Sequence, residues 1–343
     1  MKKIPAVFVT VFAAFATMSI YTACKNSPPA SPGTATPNIT ATFMAQQTAT
    51  MTSMYIMKWG NSGTGNGEFD SAYFMTAGKN DSIYVADFSN NRIQKFNSTG
   101  QYVSQWGGLG TANGQFNWPY GITADSAGNI YVMEYGNRRV QKFDSDGVYI
   151  TQWDGSGTLD GSFNEPWGIA ADPSDNIYVI DRSNARVYKF SSSGAFLTQW
   201  GSAGTADGEF TAPMGIAADT AGNIYVTDTS NDRVEKFTST GVFVAKWGGP
   251  ASGIGNGQFC GPSGIKADAS GNIYIVDTSN ERVQKFTSDG GYLGQWGSSC
   301  YVACGDGVCD GGFNAPYGIA IDSAGKIYIS DTFNYRILKF NPI

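Results

Sequence analysis

The sequence predicts an all-β fold, a six-bladed β-propeller closed by pairing of an N-terminal strand with the C-terminal blade. The first observation is a tryptophan ladder, Trp59, Trp106, Trp153, Trp200, Trp247 and Trp296, with a period of 47 and a short insertion before the last copy. The second is a phenylalanine ladder running in step with it: Phe69, Phe116, Phe163, Phe210, Phe259 and Phe313. The third is the content of each unit, four short segments rich in Val, Ile, Tyr, Phe and Trp, separated by turns rich in Gly, Asn, Asp and Ser. Self-similarity at such a period, without a long amphipathic helix, is the signature of propeller blades.

In chain order, the first element is a leader. Lys2 and Lys3 precede an uncharged stretch from Ile4 to Ala23, the arrangement of a secretory signal peptide over residues 1–23. The segment "YTAC" at 21–24 resembles a bacterial lipobox with Tyr21 in place of the usual Leu. That resemblance implies lipidation of Cys24, and Lys25 resembles lipoproteins sorted to the outer membrane. Two or more acyl chains hold a protein to a membrane without further contacts. Plain secretion and an uncleaved anchor helix are the alternatives. Residues 24–53, the lipidated Cys and a Thr-, Ser-, Pro- and Ala-rich segment with almost no charge, are expected to form a disordered tether. As a flexible coil it spans about 30 Å. The localisation expected is extracytoplasmic: bacterial membrane-anchored, at the outer membrane or cell surface, or secreted.

Residues 54–343 form the propeller domain. Unit four shows its elements clearly: "GIAAD" at 215–219, "NIYVTD" at 223–228, "RVEKF" at 233–237 and "VFVAKW" at 242–247. The chain begins its repeats with an isolated fourth strand, "MYIMKW" at 54–59, and its last unit stops after three. The two ends therefore complete one blade, which closes the ring without a covalent clasp.

The stretch "PMGIAADTAGNIYVTDTSNDRVEKF" at 213–237 resembles an NHL repeat, the motif of six-bladed propellers, and the resemblance covers nearly all of 54–343. Unit one departs from it, with Ala72, Phe74 and Gly78 where Pro, Gly and Asp are expected, so its first strand is expected to be irregular. Similar propellers bind RNA or proteins, sense extracellular signals or act as lyases, so the resemblance implies a scaffold more than an activity.

Composition narrows those classes. The chain has 22 basic and 28 acidic residues, and loss of residues 1–23 leaves 20 against 28, a net charge of −8. Every unit places a carboxylate five residues before an Arg, as in Asp87 and Arg92 or Glu134 and Arg139, and adds a Lys at 95, 142, 189, 236, 285 and 339. These repeated pairs are expected to fasten the turn between second and third strands. They use 12 of the 22 basic residues, and nucleic acid is excluded as a partner. The chain has no histidine, the commonest general base and zinc ligand. The lyases with similar propellers rely on His, so no catalytic residue, metal or cofactor is assigned. A carboxylate- and calcium-dependent lactonase- or lyase-like enzyme, using Glu134 or Asp181, is the alternative, and a structural component of the envelope is the second.

Besides Cys24 the cysteines are Cys260, Cys300, Cys304 and Cys309, an even set expected to form two disulfides between the loops entering blades five and six. Three pairings are possible, and a metal–thiolate site competes with them. Lys266 is expected in the axial channel, either as an ammonium in channel water or as an anchor for an anionic ligand.

The loop entering each blade and the turn between second and third strands share one face. After the repeated framework is subtracted, this face carries Tyr73, Phe88, Trp118, Tyr120, Tyr135, Trp167, Arg182, Tyr317, Phe333 and Tyr335, all on blades six, one, two and three. Such a crescent suits stacking on a sugar ring or docking a peptide. Packing among neighbouring loops is the competing explanation. The function expected is a lipid-anchored extracytoplasmic scaffold that presents this loop face to a protein or glycan partner. It would meet the membrane through its anchor only and be a monomer.

Overall fold

The computed structural model describes residues 54–298 and 311–342. The leader, the tether, Cys24, Cys300, Cys304 and Cys309 lie outside them. Six four-stranded antiparallel sheets follow one another around an axis. The first strands of neighbouring blades pack together at the centre. Blade one runs Ala72–Ala77, Ile83–Asp87, Arg92–Phe96 and Tyr102–Gly107, and the next four repeat that order.

The last sheet is composite. Tyr55–Trp59 pairs antiparallel with Arg336–Phe340, outside Ile327–Asp331 and Pro316–Ile321. Trp59 then packs on Tyr328 of its own blade at 6.0 Å and on Phe96 of blade one at 5.8 Å. The closure follows from the repeat itself. Each fourth-strand Trp bridges to the next blade's third-strand Phe, as Trp106 does to Phe143 and Trp296 to Phe340. The N-terminal strand supplies the Trp that the last unit lacks.

The second strand of every blade is buried along its whole length. It is covered on both faces by neighbouring blades, which is why segments such as "IYIVD" are apolar without alternation. The outermost strands do alternate and expose Val103, Ile150, Leu197, Val244 and Leu293.

The repeated charges fasten the scaffold as expected. Arg92 Nε donates to Asp87 at 2.7 Å, while its other nitrogens reach the carbonyls of Thr64, Gly65 and Glu68 in the loop entering the blade. Arg233 and Arg282 repeat this pattern. Each ladder Lys lies over a second-strand Tyr, as Lys142 does over Tyr131 at 4.9 Å. Most also cap a carbonyl of the next blade, Lys95 on Ser145 and Lys339 on Ser98. Blade three is the exception. Arg186 pairs with Asp160 at 3.3 Å and donates to the Gly201 carbonyl instead of binding Asp181.

The expectation of an irregular first strand in unit one is corrected. Ala72–Ala77 is a full six-residue strand with the same register shift, between Ala72 and Met75, that blades three, five and six show. Pairing to Ile83–Asp87 fixes that strand whatever its side chains. The short one is in blade four, Ile216–Ala218, where the Gly215 amide bonds to the Thr227 hydroxyl at 2.7 Å. The glycine at this position serves close approach at the axis: a Cβ on Gly168 would lie 2.3 Å from the Met214 carbonyl oxygen. Blade one carries Phe74 there and packs it on Tyr120 at 5.3 Å.

Candidate functional site

Two hydrogen bonds tie the entry loop to the turn between second and third strands, placing both on one face. In blade two the Tyr135 amide donates to the Trp118 carbonyl and the Gly136 amide to the Asn117 carbonyl. The ladder carboxylate sits beneath, where Glu134 accepts the Asn117 amide, Asn137 and Arg139. The variable side chains of blade two thus stand on a bonded base, and each other blade makes at least one backbone bond of this kind.

The structure divides the crescent read from the sequence into three groups. Tyr73, Tyr120 and Tyr317 are buried side by side at the axis, with Tyr73 stacked on Tyr120 at 4.8 Å and edge-on to Tyr317 at 5.0 Å. Phe88 is buried against both Tyr73 and Tyr120. Burial pushes the phenols of Tyr73 and Tyr120 far above their ordinary range, so they stay neutral. These four side chains form one packed aromatic plug among the inner strands.

A second group stands on blades two and three and remains partly open to solvent. Trp118 stacks on Phe88 at 6.0 Å and meets Tyr135 at 6.1 Å. Trp167 packs on Tyr120 at 4.4 Å, and the Arg182 guanidinium lies 4.9 Å above its ring. Glu165 stands between them, 3.8 Å from Arg182 and 3.5 Å from the Tyr135 hydroxyl. Burial, with Glu165 adding to it, pushes the Tyr135 phenol up and keeps it a neutral donor. The third group, exposed Phe333 and half-buried Tyr335, lies on blade six and makes no ring contact among the described residues.

Trp118 is held at φ 57°, a left-handed conformation that costs a bulky residue free energy. The same turn in blades one, four, five and six is also left-handed, but there it carries Ser71, Ala212, Gly261 and Ala315. Arg138 is the residue that sequence reading missed. It is exposed and left-handed, and the corresponding positions hold Asn91, Ala185, Asp232, Glu281 and Tyr335. Its signal was the doubled Arg138-Arg139, which no other unit has.

At the residue after the ladder carboxylate, blades four to six carry latches. Thr229 donates to the Pro262 carbonyl, Thr278 to that of Pro316 and Thr332 to that of Ala72, each at 2.7 or 2.8 Å. Thr227 and Ser330 repeat the contact one step inward, on the carbonyls of Ser263 and Tyr73.

Of the remaining candidates, Lys266 is half-buried on the innermost strand of blade five and makes no hydrogen bond or ion pair among the described residues. Burial lowers the proton affinity of its ammonium. Cys260 is buried in the loop entering blade five. Glu134 and Asp181 are both fully buried. Asp181 accepts the amides of Asn164 and Glu165 and the side chain of Asn184. Among the described residues no group of three Asp, Glu or Cys is placed to hold a metal ion.

The NHL-repeat profile matches residues 74–96, 163–190 and 259–286, which run from the first strand through the third in blades one, three and five. The chain carries NHL repeats. No curated protein matches the sequence of this NHL propeller. Among solved structures, a protein of unknown function from Bacteroides thetaiotaomicron superposes with a TM-score of 0.63 at 20% identity, over 84% of this chain and 75% of the other. A streptogramin B lyase superposes at 0.57 with 16% identity, over 84% and 97%. A gluconolactonase from Xanthomonas campestris superposes at 0.55 with 15% identity, over 80% and 88%. At these identities the likeness is one of fold.

Proposed function

We propose that this NHL propeller is a binding scaffold, extracytoplasmic and lipid-anchored through Cys24, whose aromatic loop face holds a protein or glycan partner without chemistry of its own. The observation that carries the reading is Trp118. A strained, half-buried indole occupies a turn that the other left-handed units fill with Ser, Ala or Gly, and neighbouring rings hold it at the surface. Strain retained at an exposed aromatic is the mark of a contact residue.

Two facts favour binding over catalysis. A virginiamycin B lyase from Staphylococcus aureus, similar in fold, is catalytically inactive when one histidine is replaced by alanine, and this chain has no histidine. The carboxylates that a lactonase-like site would draw on, Glu134 and Asp181, are occupied by backbone and side-chain donors beneath the loops.

Trp118→Ala tests the reading, because Ala212 and Ala315 already occupy the equivalent turns. Crosslinking on intact cells followed by mass spectrometry should lose its main adduct in the variant, while thermal unfolding stays within about 2 °C of wild type. Undiminished crosslinking would refute the assignment of this face.

A further inference from the structure

The loop face is electrically lopsided. At the left-handed residue before the ladder Arg, blade two carries Arg138, whereas blades four and five carry Asp232 and Glu281. Arg182 adds a second guanidinium to the same sector as Arg138, and the Tyr135 hydroxyl lies within electrostatic reach of both. Arg138 has no ion pair or hydrogen bond among the described residues. The protein is acidic, and its ladder Arg and Lys residues are engaged in the scaffold, so two guanidiniums beside three partly open aromatic rings are an exception in need of a cause.

We propose that Trp118, Tyr135 and Trp167, flanked by Arg138 and Arg182 and facing Glu165, form a subsite for an acidic sugar, a hexuronate unit of a glycan. The inference rests on the binding reading given above and names the ligand class of that face. An indole offers a flat apolar surface to the C–H face of a pyranose. A uronate carries its single carboxylate at the edge of the ring, where a guanidinium at the margin of the platform can take it in a bidentate pair. Glu165 selects further. Its contacts to Arg182 and Tyr135 are long, 3.8 and 3.5 Å, so its oxygens retain capacity to accept, and the hydroxyls of a sugar supply donors. A polyacidic peptide or a nucleic acid would bring Glu165 further negative charge at every unit, without the run of hydroxyl donors that a sugar ring offers.

The test uses the purified chain and three probes: oligogalacturonates of three to six units, neutral gluco-oligosaccharides of the same length, and a poly-glutamate peptide. Calorimetry should show the uronate bound at least about tenfold more tightly than the neutral sugar, the discrimination expected of one charge-assisted pair. Affinity should fall as salt rises, Arg138→Ala should remove most of the preference, and Arg138→Lys should restore part of it. Because Arg138 is exposed and unpartnered, its variants should melt like wild type. Equal binding of neutral and acidic sugars, lost in Trp118→Ala, would overturn the acidic specificity and leave the binding face standing. Uronate binding unaffected by Trp118→Ala and Arg138→Ala, or tighter binding of poly-glutamate, would overturn the subsite. Absence of any sugar binding would overturn it as well, and Trp118-dependent crosslinking on cells would then show that the face serves another partner.

Discussion

Blades one to three and blades four to six solve the same joint with different chemistry. At the two positions where a second strand runs into its turn, blades one to three place Ala86 and Phe88, Met133 and Tyr135, Ile180 and Arg182. Blades four to six place Thr227 and Thr229, Val276 and Thr278, Ser330 and Thr332. The hydroxyls are spent on carbonyls of the next blade and leave nothing facing outward. In blades one to three Phe88 instead packs into the buried aromatic cluster, while Tyr135 and Arg182 stay partly open to solvent. A backbone repeated six times can thus reserve one half for fastening and free the other for contact.

The largest expected effect tests whether the hydroxyl joints suffice to close the ring. Deletion of residues 54–60 removes the outer strand of blade six and Trp59, but spares the Ser330 and Thr332 joints to blade one. Loss of one core aromatic costs about 3–5 kcal/mol, and each kcal/mol moves the melting point of a chain this long by about 2–4 °C. The melting temperature should therefore fall by more than about 10 °C in calorimetry. An unchanged value would mean that the polar joints hold the circle unaided.

The next test sets the halves against each other. Tyr120→Ala, which empties the aromatic plug, should destabilise by about 3–5 kcal/mol in urea unfolding. Thr227→Val keeps its shape but strands the Gly215 amide and the Ser263 carbonyl, and should cost about 1–2 kcal/mol. A larger loss from Thr227→Val would erase the distinction between packed and bonded halves.

The smallest effect belongs to one buried acid on the fastening side. Glu235 occupies the position of Gln94, Gln141 and Gln284, and its Oε2 accepts the Gly208 amide as those Gln oxygens accept Gly67, Gly114 and Gly257. Arg233 stands 2.9 Å from the other oxygen without a hydrogen bond, its donors being directed at the carbonyls of Thr205, Ala206 and Glu209. Burial, reinforced by Asp228 and opposed by Arg233, pushes the Glu235 carboxyl up to about 7. A folded-state value raised above the ordinary carboxylate range means that the protonated form fits. Its contribution to stability is complete in acid, erodes from about pH 4.5 upward and is gone once the pH passes about 7. Glu235→Gln should remove that dependence and add of order 1–2 kcal/mol at pH 8.5. Parallel stability curves for variant and wild type between pH 5 and 8.5 would contradict it.

The ladders made the architecture readable, because one Trp and one Phe per unit mark blade-to-blade contacts that depend on period alone. The unpaired fourth strand at Tyr55–Trp59 and the missing one after Phe340 disclosed the closure by simple counting. The aromatic crescent was legible as a composition but not as a structure. Whether Tyr73, Tyr120 and Tyr317 reach outward or fill the axis depends on how closely six first strands converge, a distance absent from any single repeat. The latching role of the threonines at 229, 278 and 332 was hidden for the same reason, since their acceptors belong to the following blade. Their recurrence in three successive units was the available clue.

The composite sheet of blade six also sets a direction. Tyr55 lies opposite Phe340, and the amide of Asn341 donates to the carbonyl of Met54, at the end of the strands where third turns into fourth. Trp118, Trp167 and Arg138 belong to the other end. Polypeptide joined ahead of Met54 or behind Pro342 is therefore attached on the underside of the disc. A protein tethered through either terminus would carry its attachment point and its aromatic arc at opposite ends of the blades.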